Sequence, residues 1–163
     1  KINVYIWRIF DPNRFLFYYT HLDMGEKDFN VIEEMDKETE SARKDALESL
    51  EKGKFDHALK MIDQAISLYP SSARNLTTRA EIHIKLGSPD LALKDCDQAL
   101  KINSDYAIVY KWRGRARHLL GDIEQAYYDY GKSCTIDYDP ETDSWMQEIK
   151  DDVKKIQIER GHH

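Results

Sequence analysis

The chain has 163 residues, 24 lysines and arginines against 30 aspartates and glutamates, a net charge of −6 and 41% hydrophobic residues. That is enough for one domain with a real core and too few for two large ones. The acidic balance excludes a binder of nucleic acid or anionic membrane, which needs a basic surplus, and no stretch is long and apolar enough to span a bilayer.

Residues 1–29 do not share the pattern of the rest of the chain. Ile2, Val4 and Ile6 alternate with Asn3 and Tyr5, Asp11-Pro12-Asn13 reads as a turn, and the run Phe15-Leu16-Phe17-Tyr18-Tyr19 is β-prone, so residues 1–23 suggest a hairpin. A lone hairpin is marginal in water, which leaves two readings: it pairs with a second chain to make a homodimer, or it is an artefact that packs where it can. Lys1 to Phe10 is a poor signal peptide, because Arg8 and Asp11 interrupt it and no small-residue cleavage site comes after it; a cytoplasmic protein is expected.

From Asp28 the pattern turns helical. Val31, Met35, Ala42, Ala46, Leu47 and Leu50 form an apolar stripe that predicts a helix over 30–52. A second helix is expected over 55–68, ended by Pro70. The next pair, 73–86 and 89–102, is joined by Gly87-Ser88-Pro89, with glycine past one end, a capping serine, and proline at the first helical position. Helices over 107–120 and 123–136 come next, with Asp122 and Gln125 spaced as a capping box. A last helix over 142–159 puts Trp145, Ile149, Val153 and Ile156 on one face and Glu148, Lys150, Asp151, Lys154, Lys155 and Glu159 on the other. His162 and His163 read as the remnant of a purification tag, residues 161–163.

These helices repeat. Gly53, Gly87 and Gly121 lie 34 residues apart, as do Ala58, Ala92 and Ala126; the columns Ala46, Ala80, Gly114 and Ala65, Ala99, Ser133 keep the same step. The pattern is similar to the tetratricopeptide repeat, a helix–turn–helix unit of that length. It predicts an all-α superhelix of three repeats, about 39–72, 73–106 and 107–140, with a capping helix over 141–160 whose polar side closes the stack.

Two kinds of charge stand out. Arg79 and Asp95, and one period later Arg113 and Asp129, are each 16 residues apart and read as structural ion pairs between the helices of a repeat. In tetratricopeptide arrays the first helices line the groove. The register places Arg43, Leu47, Thr77, Thr78, Glu81, Lys85, Ile108, Lys111, Trp112, Arg115 and His118 there. Lys111, Arg115 and His118 make one stripe, read either as a solvated face or as a cationic strip for an acidic partner. Trp112 is either a core contact or an interface anchor. Cys96 and Cys134 are expected as buried free thiols. No phosphate loop, nucleophile elbow or two-histidine zinc motif is present, so neither catalysis, cofactor nor metal is expected.

The residues Lys85-Leu86, Pro89, Asp95-Cys96-Asp97, Tyr110-Lys111-Trp112-Arg113-Gly114, Leu119-Leu120-Gly121 and Asp137-Tyr138-Asp139 carry a more specific likeness. Over about residues 24–160 the chain resembles the Hip cochaperones, which interact with the heat shock protein 70 chaperone. The resemblance implies a non-enzymatic adaptor that docks on the chaperone's nucleotide-binding domain and stabilises its ADP state. A second adaptor class grips the C-terminal carboxylate of chaperone tails; the matching positions here are Arg43, Leu47, Thr78, Ile108 and Trp112, of which Arg43 alone keeps a positive charge. A general interaction scaffold is the remaining alternative.

Overall fold

The computed structural model describes residues 26–161, with side chains from residue 34 onward; the hairpin expected over 1–23 and the terminal histidines lie outside the described residues. Seven helices run in order: α1 (Glu26–Glu51), α2 (Phe55–Leu68), α3 (Ala73–Lys85), α4 (Pro89–Ile102), α5 (Ala107–Leu119), α6 (Ile123–Ile136) and α7 (Pro140–Gly161). Among the described residues the structure is all helical, and each helix packs against the next. Helices α1, α3 and α5 also touch one another in succession and so form one continuous inner wall.

The reversals within repeats depend on glycine. Gly53, Gly87 and Gly121 have φ of 69°, 73° and 86°, a left-handed conformation that costs other L-residues energy. Ser88 N–H donates to His83 O at 2.8 Å and Gly87 N–H to Ile84 O at 3.1 Å, the paired bonds of a Schellman turn. The same long bond recurs from Lys54 to Ser49 and from Asp122 to Arg117.

That geometry corrects two expectations. Ser88 and Asp122 occupy N-cap positions, but neither side chain bonds its helix. A capping box at Asp122 would need its N–H for the Gln125 side chain, yet that N–H already donates to Arg117 O at 2.9 Å. Side-chain caps form instead where the chain passes between repeats: Ser72 accepts from Asn75 N–H at 3.2 Å, and Asp139 from Thr142 N–H at 3.0 Å. The Asp139 cap, with Pro140 at the first helical position, starts α7 two residues earlier than its apolar pattern suggests.

Small side chains let the helices approach. Ala46, Ala58, Ala65, Ala80, Ala92, Ala99, Ala116 and Ala126 are fully buried. Gly114 stands in the column of Ala46 and Ala80 for a visible reason. A Cβ there would lie 2.7 Å from the ring of Tyr130, which fills the place held by Ile62 and Cys96 in the earlier repeats. Helix α7 then buries Ile149 and Val153, and Trp145 and Met146 pack against Ala126 and Tyr130. Glu148, Lys150, Asp151, Lys154, Lys155 and Glu159 face outward. Cys96 is buried, but Cys134 is only half-buried, because it sits at the α6 end beside the Asp139 carbonyl rather than between repeats.

Candidate functional site

Along the buried seams, arginines form a ladder. Arg79 donates from Nε and Nη2 to Asp95 at 2.8 and 2.7 Å, and from Nη1 to Asp63 at 2.9 Å. Arg113 repeats this with Asp129 at 2.9 and 2.7 Å and Asp97 at 3.2 Å. Each guanidinium therefore joins the second helix of its own repeat to that of the preceding one. Asp129 is fully buried and also accepts from Arg117 at 2.7 Å. Hydrogen bonds to Asp95 raise the Arg79 pKa despite burial. The sequence reading gives Asp63, Asp97 and Arg117 no part in these ion pairs, although Asp63 and Asp97 keep the repeat's step.

The inner wall divides into a quiet half and a charged half. Thr77 and Thr78 are buried, and their hydroxyls donate to Ala73 O and Arg74 O at 2.6 and 3.1 Å. Arg43 is tied to Glu40 at 2.6 Å. Ile108 is exposed. The tail-clamp positions thus present one arginine already paired, a spent hydroxyl and apolar side chains.

The charged half is built by α5 and closed by α7. Trp112 is buried, with Trp145 of α7 packed 5.9 Å away between ring centroids; Tyr130 lies another 5.9 Å beyond Trp145. Lys111 Nζ lies 5.4 Å from the Trp112 ring and 5.3 Å from the Trp145 ring. It donates to Asp139 Oδ2 at 2.8 Å and Glu141 Oε2 at 2.7 Å. The Arg115 guanidinium sits 4.8 Å over Trp145, and Lys85 lies 5.9 Å from Trp112. Cation–π contacts contribute about 0.5–1 kcal/mol when exposed and about 2 kcal/mol or more when desolvated. Trp112 is thus a core contact on its buried side and part of the cationic cluster on its face.

Protonation follows the packing. Burial pulls the Lys111 pKa down, but hydrogen bonds to Asp139 and Glu141 outweigh it and leave the group above the usual lysine value. The Lys111 ammonium and the Thr142 donors hold Asp139 down to about 2. Burial raises the Glu81 carboxyl against the opposing pull of Lys85 and Lys111. Burial and then Arg115 lower the His118 pKa. Its Nδ1 lies 3.5 Å from Arg115 Nη1 and 3.4 Å from the Tyr130 hydroxyl. The stripe of Lys111, Arg115 and His118 is therefore not a bare cationic strip. Asp139 and Glu141 pair with Lys111, and Glu81 interacts with Lys85 and Lys111.

One polar atom in the cluster is left over. The buried indole N–H of Trp112 has no hydrogen-bond partner among the described residues. Among the described residues, no group of three or more His, Cys, Asp or Glu side chains is placed to hold a metal ion, and no helix is long and apolar enough to cross a membrane.

Residues 73–106, helices α3 and α4 with their connections, match the tetratricopeptide repeat family model. The chain is 39% identical over 137 residues to Hsc70-interacting protein 1 of Drosophila melanogaster, covering 84% of this chain and 36% of that protein. It is 34% identical, with the same two coverages, to the TPR repeat-containing thioredoxin TDX of Arabidopsis thaliana. The chain thus spans little more than a third of these curated relatives. Among solved structures, the first TPR of Spaghetti (RPAP3), bound to the HSP90 peptide SRMEEVD, superposes with a TM-score of 0.68 at 23% identity, over 72% of this chain and 94% of that one. The Sgt2 TPR domain from Aspergillus fumigatus gives 0.69 at 18% identity, over 74% and 82%.

Proposed function

We propose that this tetratricopeptide superhelix of three repeats and a capping helix is the chaperone-binding module of a non-enzymatic, cytosolic cochaperone, and that it takes the nucleotide-binding domain of a heat shock protein 70 chaperone and stabilises its ADP state. The observation that carries this reading is the 39% identity to Hsc70-interacting protein 1 along 84% of the chain. A partner that binds one conformer of the chaperone more tightly shifts the equilibrium toward it by that difference in affinity.

In this reading the partner meets the charged half of the groove. Lys111 and Arg115 make the principal contacts, with Lys85, Trp112, Glu81 and His118 around them. Gripping a chaperone tail is the weaker reading. A free carboxylate needs several donors, and leaving it unmatched in a groove costs free energy. Thr78 has already spent its hydroxyl, and Trp112 lies beneath Trp145.

Titration calorimetry with the isolated nucleotide-binding domain, in ADP and in ATP, tests the proposal. Tighter binding in ADP, with no heat from a tail peptide, is the expected result. Binding of the tail peptide alone, or equal affinity in both nucleotides, overturns it.

A further inference from the structure

We infer that Glu141 is an internal stand-in for a partner's carboxylate, and that Lys111, held between the indoles of Trp112 and Trp145, is the subsite that receives an aspartate or glutamate side chain from the bound surface. The inference rests on the proposed chaperone-binding groove and specifies one contact within it.

A lysine ammonium has three donors. Here two are spent on carboxylates of very different standing. Asp139 is pinned: it accepts from Thr142 N–H at 3.0 Å and from the Thr142 hydroxyl as well as from Lys111, and it caps α7. Glu141 lies on the first turn of α7 with its side chain 56% exposed, reaching back to Lys111. The Lys111 side chain is only 13% exposed, so the weak end of the pair is Glu141, where water and side-chain entropy compete for the carboxylate. Rotation of Glu141 leaves α7 docked through Ile149 and Val153, which are buried further along the helix.

What remains is a lysine with one fixed acceptor, two aromatic faces and an open acceptor position. The ligand that fits carries a single negative charge. Asp139 and Glu81 stay close by, so a doubly charged phosphate meets more repulsion than a carboxylate does. The sequence spacing hides this, since Lys111 and Glu141 are 30 residues apart.

The test is a cycle of variants of the whole chain, titrated with the chaperone nucleotide-binding domain in ADP. Glu141→Gln keeps the length of the side chain and removes the competing charge; it is expected to tighten binding about fivefold. Lys111→Met, with Lys111→Gln as a second variant if the first unfolds, is expected to weaken binding about tenfold. Without Lys111, the Glu141→Gln change should have no further effect. An equal gain from Glu141→Gln with and without Lys111 makes Glu141 a general source of repulsion and overturns the subsite. So does a Glu141→Gln chain that binds as wild type.

A second arm needs no chaperone. Adding a hexaglutamate peptide to the ¹⁵N-labelled chain should shift the Lys111 ammonium and Trp112 indole signals more in Glu141→Gln than in wild type. If neither signal moves in either chain, the subsite is wrong. If they move while the chaperone domain fails to bind wild type in any nucleotide, the chaperone reading falls and the subsite stands.

Discussion

The protein uses cations in two ways, and Arg113 and Lys111, two residues apart on α5, show the difference. Arg113 lies in the seam between second helices, where its planar fork meets both oxygens of a carboxylate that solvent does not reach. Lys111 lies on the inner wall, where a point charge shares two half-exposed carboxylates and two indole faces. A bidentate buried pair has one geometry and no competing water, so it holds helices in register. Lys111 is itself mostly buried, but its Glu141 partner is half-exposed and is held less firmly than a buried bidentate carboxylate. The seam ties helix to helix, and the rim is the surface proposed above for binding.

The largest effect that separates the two regions is expected at Asp129. Replacing it by alanine strands Arg113 and Arg117 without their shared partner and should cost about 3–5 kcal/mol in urea unfolding. Asp97→Ala, which removes the half-exposed end of the same ladder, should cost no more than about 1 kcal/mol. Equal losses would mean that burial is not what distinguishes the seam.

Next comes the tight approach behind the rim. Gly114→Ala forces a methyl against the Tyr130 ring and should cost about 1–3 kcal/mol. Pairing it with Tyr130→Cys, the residue found one repeat earlier beside Ala80, should recover part of the loss in thermal unfolding. A double variant no better than Gly114→Ala removes the steric explanation.

On the rim itself, Arg115→Glu should weaken partner binding by about 1–3 kcal/mol while the circular dichroism of the helices stays the same. Unchanged affinity in calorimetry would take Arg115 out of the interface.

A smaller effect is expected in acid. The folded state holds Asp139 at about 2, below the ordinary aspartate value. Its contribution to stability is therefore complete above about pH 4 and is lost as pH falls through about 2. Tryptophan fluorescence should report loosening of α7 over that window, and Asp139→Asn should abolish that step. The smallest effect is expected on the outer face, where breaking the exposed Lys154–Asp151 pair should change stability by less than about 0.5 kcal/mol.

The period of 34 residues determined the helices, their turns and the stacking, because each glycine acts through its own backbone and each small residue through its nearest neighbour. The separation of Arg79 from Asp95 is likewise fixed within one helix pair, so a repeat read alone reveals it. Ser88 and Asp122 show the limit of local rules: both have the right type and place for a cap, but the preceding Schellman turn had already committed the backbone.

The charged cluster was beyond that reach. Helical spacing leaves Lys111, Arg115 and His118 as either a solvated face or a cationic strip, whereas Asp139 and Glu141, from a different part of the chain, pair with Lys111, and Trp145 covers Arg115. Spacing along one helix determines which side chains share a face. What covers that face depends on how α7 docks, which is set by the burial of Ile149 and Val153 against α6 and by no pattern within α5. The amino-acid order by itself determined a repeated helical stack and its internal ion pairs; only the tertiary structure decided that its last helix supplies the counter-charges of its own groove.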